Sequence, residues 1–205
     1  MNYHNITYPD MNNGDGLRVV LWLSGCSHHC YNCQNPQTWD ANSGIPFDES
    51  AKKELFRELD KDYISGLTLT GGDPLFESNL DGVLDLVTEF NKRYNFQKVD
   101  SATPCKMGVS EVENTDKIRL LLPNKSIWIY SGYQWSEIFN DGVYLTKECA
   151  SWKRREIVKQ CDVIVDGRYI DSKRNPSKKW AGSDNQRVID IRKSLEQNKV
   201  VLYCD

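Results

Sequence analysis

The fold is decided by an apolar run and the cysteine-rich loop that follows it, between residues 19 and 33. The stretch reads Val19-Val20-Leu21-Trp22-Leu23-Ser24-Gly25-Cys26-Ser27-His28-His29-Cys30-Tyr31-Asn32-Cys33. Its first part is rich in valine and leucine and is ended by a glycine, which is typical of a strand inside a parallel sheet. Its second part places three thiols within eight residues. Thiols on so short a loop can converge on one soft metal centre.

The odd number of cysteines is informative about the kind of metal site. A closed structural zinc site takes four ligands, whereas three ligands leave one position open for chemistry. We therefore expect Cys26, Cys30 and Cys33 to hold an iron–sulfur cluster in which one iron has no cysteine ligand. Spacing alone leaves an alternative open, namely a zinc site completed by His28, His29 or a distant cysteine.

Composition bounds the class of protein and its setting. A chain of 205 residues with 39% hydrophobic and 27% charged residues is most simply one globular domain. The formal charge of −3 argues against generic binding to nucleic acid. The first residues lack the basic start and apolar stretch of a signal peptide, and no apolar run has the length of a membrane span. We expect a cytoplasmic protein without a membrane partner.

The remaining cysteines are scattered along the chain at Cys105, Cys149, Cys161 and Cys204. They form no second spaced cluster, and a cytosolic chain of this length does not need a disulfide scaffold. We expect them to be free thiols, some of them buried.

Strand and helix patterns alternate along the chain. Predicted strands lie at 18–24, 66–70, 126–130, 162–166 and 199–203, and predicted helices at 48–59, 79–94, around 152–160 and from 188 onwards. The alternation predicts βαβ units and a mostly parallel sheet with too few units to close an eight-stranded barrel. The expected fold class is therefore α/β, as an open partial (β/α) barrel. We expect a single domain over 1–205, with an insertion at 95–125 and a C-terminal extension after 187.

Three unusual segments each follow a predicted strand of the parallel sheet. They are the cysteine loop, the turn Gly71-Gly72-Asp73-Pro74 and the turn Ser131-Gly132-Tyr133. Ligands of parallel sheets bind at the carboxyl ends of the strands, so we expect the three segments to share one site.

The spacing Cys-x3-Cys-x2-Cys after the first predicted strand resembles the signature of the radical S-adenosylmethionine superfamily. This resemblance implies a [4Fe–4S] cluster on Cys26, Cys30 and Cys33. It also implies that the amino and carboxylate groups of S-adenosylmethionine chelate the fourth iron. Gly71-Gly72-Asp73-Pro74 resembles the Gly-Gly-Glu motif of the superfamily, with Asp in place of Glu. Gly71, Gly72, Asp73 and Ser131 are accordingly candidate cofactor contacts.

The contact to the adenine is expected from the end of the cysteine loop. The superfamily often has an aromatic residue just before the last cysteine, and this chain has Asn32 there. We expect Asn32, Cys33 and Gln34 to supply that contact, through the backbone.

Further resemblances point to the glycyl-radical-enzyme activases. They lie in 13–18, in 33–40 and, for activators of anaerobic (class III) ribonucleotide reductase, in 163–169 and in Trp180-Ala181-Gly182-Ser183-Asp184-Asn185-Gln186-Arg187. The resemblance covers most of 1–94 and 126–187. It implies reductive cleavage of S-adenosylmethionine, with the 5′-deoxyadenosyl radical forming a glycyl radical on an anaerobic ribonucleoside-triphosphate reductase. The implied electron donor is a reduced flavodoxin-like protein.

Two other classes of function stay open at the level of sequence. One is a different short radical enzyme, either a pyruvate formate-lyase activase or a deazapurine synthase. The other is a non-enzymatic, zinc-binding adaptor that uses the same three cysteines.

Overall fold

The computed structural model describes residues 1–95, 124–139 and 149–204, and within these ranges strands and helices alternate. The strands are β1 Asn2–Asp10, β2 Arg18–Leu23, β3 Ile45–Pro46, β4 Gly66–Gly71, β5 Ser126–Ser131, β6 Val163–Asp166 and β7 Arg187–Asp190. The α-helices are α1 Glu49–Leu59, α2 Leu80–Tyr94, α3 Trp135–Ile138, α4 Ala150–Lys159 and α5 Ile191–Gln197. Short 3₁₀ turns lie at Pro36–Thr38, Glu77–Asn79 and Asp171–Lys173.

The described strands form one open sheet in the order β3-β1-β2-β4-β5-β6-β7. The four central strands, β2, β4, β5 and β6, run parallel to one another. β1 is antiparallel to both β2 and β3, and β7 is antiparallel to β6. An α/β fold with a mostly parallel, unclosed sheet is thereby confirmed, and the finer assignment to a partial (β/α) barrel stays a prediction.

One face of the sheet is covered by helices and forms the main core. Alternate residues of the central strands point to this face, as the two-residue period of a strand requires. They pack against α1 and α2 and are fully buried, and the set includes Val19, Leu21, Leu23, Leu67, Leu69, Ile127 and Ile129. α1 begins where the Asp48 carboxylate accepts hydrogen bonds from the backbone N–H groups of Ser50 and Ala51, both at 3.0 Å. Such a cap satisfies amides that a helix leaves unpaired at its start.

The other face of the sheet contains a smaller aromatic cluster around Trp128. The Trp128 ring contacts Trp180 edge-on, with ring centroids 4.8 Å apart, and Tyr203 at 5.1 Å. Arg18 is fully buried beside this cluster, and its guanidinium donates to Thr68 Oγ1 and to the Leu67 carbonyl, both at 2.6 Å. Segments near the end of the described chain thus cover part of this face.

The predicted boundaries differ from the structure at both ends of the sheet. β1 was not expected as a strand, and the region after 187, expected to be helical, begins as the strand β7 before α5. The strand expected at 199–203 is reduced to an isolated bridge between Leu202 and Ile189. The interior of the predicted insertion at 95–125, with Cys105, lies outside the described residues. Its two ends meet, since the Asn95 side-chain amide donates to the Lys125 carbonyl at 2.7 Å.

The sequence predicts no membrane span, and the helices of the described ranges can be compared with that prediction. None of them combines the length and the apolar character needed to cross a bilayer.

Candidate metal centre

The candidate site lies at the carboxyl ends of the four parallel strands. The cysteine loop (residues 26–33) follows β2, residues 72–74 follow β4, residues 132–134 follow β5, and residues 167–171, here called the β6 loop, follow β6. Parallel pairing places all four strand ends at the same edge of the sheet. The three segments expected to share a site therefore lie together, and the β6 loop joins them.

The Asp73 carboxylate connects three of these segments. Its Oδ2 accepts hydrogen bonds from His28 Nε2 at 2.8 Å and from the Gly132 backbone N–H at 2.9 Å. The Ser131 hydroxyl donates to both carboxylate oxygens at 3.0 Å, and the Leu75 N–H donates to Oδ1 at 2.8 Å. Asp73 is only 2% exposed. We call Asp73, His28, Ser131 and Gly132 the Asp73 cluster.

Glycines allow the loops of the site to approach closely. A Cβ atom on Gly72 would lie 2.5 Å from the Gly25 carbonyl oxygen, at the start of the cysteine loop. A Cβ atom on Gly132 would lie 2.2 Å from the His28 ring. Gly71 has φ of +95°, a conformation that glycine adopts without strain. The Gly-Gly and Ser-Gly turns are thus required by packing, whatever else they bind.

The three cysteines of the loop are free and half-buried. Burial raises the pKa of the Cys26 thiol to about 11, and burial also raises the pKa of Cys30 above its usual range. Nearby backbone N–H groups act in the opposite direction, since those of His28 and His29 lower the pKa of Cys26 and that of Tyr169 lowers the pKa of Cys30. The Asn35 N–H donates to Cys33 Sγ at 3.3 Å.

These donors bear on which metal group the loop fits. Hydrogen bonds to sulfur stabilise the thiolate form and are among the features that tune iron–sulfur clusters. Cys33 Sγ has such a backbone donor, and nearby backbone N–H groups favour the thiolate forms of Cys26 and Cys30. The chemistry of the donor set therefore fits a cluster held by three thiolates.

The thiols are close neighbours without being arranged as a ready-made ligand set. Within the ranges that the structure describes, no three His, Cys, Asp or Glu side chains already form a group able to hold a metal ion. The assignment of Cys26, Cys30 and Cys33 as ligands stays a prediction.

The two histidines considered as a fourth zinc ligand are engaged elsewhere. His28 is bound to Asp73 in the cluster described above. The His29 ring packs on Trp39, with centroids 4.7 Å apart. Both contacts direct the imidazoles to neighbours other than the sulfurs, which favours the cluster over the zinc alternative.

The other described cysteines have places of their own in the fold. Cys161 is buried and its thiol donates to the Ile157 carbonyl at 3.3 Å. Cys149 Sγ accepts from the Trp152 N–H at the start of α4, and Cys204 packs beside Trp128.

The predicted adenine-binding stretch lies at the outer end of the cysteine loop. Asn32 and Gln34 are exposed, and Cys33 is half-buried. Asn32 has φ of +54°, and its side-chain amide donates to Asp171 Oδ2 at 3.2 Å. Its side chain therefore points to the β6 loop, which leaves only its backbone for the expected contact.

A cavity of about 430 Å³ lies between these loops and adjoins Cys30. Its volume is in the range of ligand-binding pockets. The lining residues are His28, Cys30, Gly132, Gln134, Glu137, Arg168, Tyr169, Ile170 and Asn185. Residues 134, 137 and 168–170 were missed by sequence reasoning. The rule that ligands bind where parallel strands end, applied to the strand 162–166, would have found the β6 loop.

The segment 182–187 holds the β6 loop in position. Gln186 Nε2 donates to the Gly167 carbonyl at 3.0 Å, and Asn185 Nδ2 donates to the Arg168 carbonyl at 2.8 Å. The Ile170 N–H donates to the Ser183 hydroxyl at 3.2 Å. The polar loop that composition alone left unexplained thus supports the segment that borders Cys30.

Comparison with known proteins identifies relatives over most of the chain. A family model described as a 4Fe-4S single cluster domain matches residues 12–109 and 110–189. An anaerobic ribonucleoside-triphosphate reductase-activating protein of Enterobacteria phage T4 is 38% identical over 189 residues, which are 92% of this chain and 93% of that protein. Proteins of the same name from Escherichia coli (strain K12) and Pasteurella multocida (strain Pm70) are each 31% identical. The match to the Escherichia coli protein spans 94% of this chain and the full length of that protein. The match to the Pasteurella multocida protein spans 92% of this chain and 96% of that protein.

Proposed function

Because this chain belongs to the family of anaerobic ribonucleoside-triphosphate reductase-activating proteins and contains a 4Fe-4S single cluster domain, we propose that it forms a glycyl radical on such a reductase. The membership confirms the activating enzyme predicted from sequence and argues against the zinc-binding adaptor. The observation that carries the proposal is the three-cysteine loop at the carboxyl edge of the sheet, in a chain that matches a 4Fe-4S single cluster domain.

We propose that Cys26, Cys30 and Cys33 hold the cluster and leave one iron for S-adenosylmethionine. When bound, the reduced cluster would supply one electron to S-adenosylmethionine, which would break the bond between its sulfur and C5′. Methionine would be released, and the 5′-deoxyadenosyl radical would take a hydrogen atom from a glycine α-carbon of the reductase. The chain's own residues would bind the cluster and the cofactor, orient them, and exclude water from the site.

The proposed cofactor contacts border the same edge of the sheet. The backbone of residues 71–73 and Ser131 lie beside the cysteine loop, against the expected position of the aminoacyl group. The backbone of residues 32–34 lies at the outer end of the loop, where the adenine is expected. Both ends of one extended ligand would thus contact segments that the Asp73 cluster and the β6 loop hold in place.

The cavity beside Cys30 is proposed as the place where the protein substrate enters. Its wall combines a glycine, an exposed isoleucine and polar side chains, namely Gly132, Ile170, Gln134, Glu137 and Arg168. A glycine in a protein loop presents only backbone, so a site lined by hydrogen-bonding groups suits it. Tyr31 is 76% exposed, and the loop containing it therefore reaches the surface, where a flavodoxin-like electron donor is expected to approach.

Anaerobic reconstitution with iron and sulfide tests the cluster. We expect a brown protein with four irons per chain and an absorbance shoulder at a wavelength of about 400 nm, as thiolate-bound [4Fe–4S] clusters have. Cys30→Ala should lose the cluster and the cleavage of S-adenosylmethionine. The matched control is Cys161→Ala, which removes a buried thiol outside the loop and should keep both.

Three outcomes would contradict the proposal. A colourless wild-type protein with one tightly bound zinc would support the adaptor. Cofactor cleavage retained by Cys30→Ala would refute the ligand assignment. Radical formation on pyruvate formate-lyase in place of the reductase would favour the other activase.

A further inference from the structure

The Asp73 carboxylate has no free capacity for a ligand. An ionised carboxylate offers about four lone-pair sites for hydrogen bonds. In this structure His28, Gly132, Leu75 and Ser131 all donate to the two oxygens, at 2.8–3.0 Å. With Asp73 only 2% exposed, an ammonium group would have to displace one of these donors.

His28 links this carboxylate to the metal-binding loop. It lies between Cys26 and Cys30, and its side chain is 5% exposed. The His28 ring also packs edge-on against Tyr133, with centroids 4.8 Å apart. The imidazole is therefore held on two sides, by a hydrogen bond and by an aromatic contact.

The contacts continue around the site and return to Asp73. The Arg154 guanidinium lies 4.4 Å from the Tyr133 ring centroid, and Arg154 Nε donates to the Leu75 carbonyl at 2.8 Å. The Leu75 N–H donates in turn to Asp73. A closed circuit of packed and hydrogen-bonded groups thus fixes the position of the His28 ring.

We propose that Asp73 is a positioning residue, whose buried carboxylate fixes the cysteine loop through His28 and does not itself bind the ammonium group of the cofactor. The inference rests on the proposed function, in that the loop is taken to hold the cluster. The side chain of Asp73 thus has a different role from the backbone of residues 71–73, which remains available to the cofactor. Displacing His28 moves the backbone between two metal ligands, so loss of the carboxylate affects the cluster from a distance.

The first test measures amide hydrogen exchange of residues 26–34 in the full chain before iron is added. Asp73→Asn puts an amide NH2 group where one carboxylate oxygen accepted, so donors around it lose their acceptor. His28→Phe removes the hydrogen bond and keeps a ring against Tyr133. We expect each to speed exchange in the loop by about tenfold, the effect of losing one buried hydrogen bond. The double variant should exchange no faster than the faster single variant, because both substitutions act through the contact between His28 and residue 73.

Two further variants control this test. His28→Gln keeps a side-chain N–H that can reach Asp73 and should exchange close to the wild-type rate. His29→Phe makes the matched substitution one residue further on, where a phenyl ring can keep the contact with Trp39, and should leave exchange unchanged. Wild-type exchange in both Asp73→Asn and His28→Phe would overturn the proposal.

The second test measures the dissociation constant of S-adenosylmethionine and the electron paramagnetic resonance signal of the reduced cluster in the reconstituted protein. We expect His28→Phe and Asp73→Asn to change the signal in the same way and to weaken cofactor binding to the same degree. Weaker binding in Asp73→Asn alone, with the wild-type signal in both variants, would make Asp73 a ligand and overturn the proposal. A wild-type chain that takes up no cluster would refute the proposed function, and the exchange experiment would still test the positioning role.

Discussion

At the scale of the residue, the glycines of the site act by the absence of a side chain. Gly132 follows β5 directly and leaves the space that the His28 ring occupies. Ser131, the residue before it, donates to Asp73 and accepts the Tyr133 N–H at 3.1 Å. Ser131 therefore supplies a hydrogen-bond donor to Asp73, and Gly132 leaves room for the His28 ring. We expect a change at either position to affect the cysteine loop.

Gly132→Ala tests this account through stability. The added Cβ atom would lie 2.2 Å from the buried His28 ring, so the ring or the backbone must move. Overpacking of this kind costs about 1–3 kcal/mol, and we expect a loss of that size in the free energy of unfolding measured with urea.

The matched control for that substitution is Gly82→Ala in α2. Its added Cβ atom would meet the flexible Met1 side chain, and alanine favours a helix over glycine. We expect no loss and a gain of up to about 1 kcal/mol. Equal effects of the two substitutions would contradict the role assigned to Gly132.

At the scale of the element, the central strands were predictable because they are buried on both sides. Continuous apolar runs such as Val19–Leu23 and Val163–Val165 have that signature, and each became a parallel strand. β1 was missed because its asparagines and its proline disfavour strands, although Tyr3 and Ile6 do face the core. β7 was missed because four residues directly before a helix give too short a pattern.

The candidate site was predictable only where characteristic residue types occur together in a short motif. The cysteines and the Gly-Gly turn were found from the sequence, whereas the pairing of His28 with Asp73 joins residues 45 positions apart. Such a contact depends on the register of β2 against β4, and no local pattern encodes it. The segment 182–187 was informative only by resemblance, since its partners in the β6 loop lie beyond any local window.

The segment 182–187 is expected to matter through the loop that it supports. Gln186→Ala removes the hydrogen bond to Gly167 and the acceptor for the Gly182 and Ser183 N–H groups. We expect faster amide exchange at 168–170 by roughly five- to tenfold, measured by mass spectrometry or NMR.

Two further variants serve as an intermediate case and a control for this experiment. Gln186→Glu keeps the acceptor and should fall between the wild type and Gln186→Ala. Glu196→Ala removes an exposed ion pair with Arg192 on α5 and should leave the β6 loop unchanged. Slow, wild-type exchange in Gln186→Ala would show that another part of the chain holds the loop.

At the scale of the whole molecule, the open sheet gathers four loops at one edge and leaves a cavity between them. The cysteine loop, the Gly-Gly turn, the Ser-Gly turn and the β6 loop come from strands that are parallel neighbours. Helices cover one face of the sheet, and an aromatic cluster closes part of the other. A protein loop can reach an edge of this kind, and a fully closed barrel would give it less room.

The central claim is that this chain forms a glycyl radical on an anaerobic ribonucleoside-triphosphate reductase. The most direct test is electron paramagnetic resonance of the reductase after anaerobic incubation with the reconstituted, reduced chain and S-adenosylmethionine. The account predicts a glycyl doublet that collapses when the reductase contains α-deuterated glycine, with deuterium recovered in 5′-deoxyadenosine, and no signal with Cys30→Ala. Cleavage of the cofactor without any radical on the reductase, or a full signal with Cys30→Ala, would contradict it.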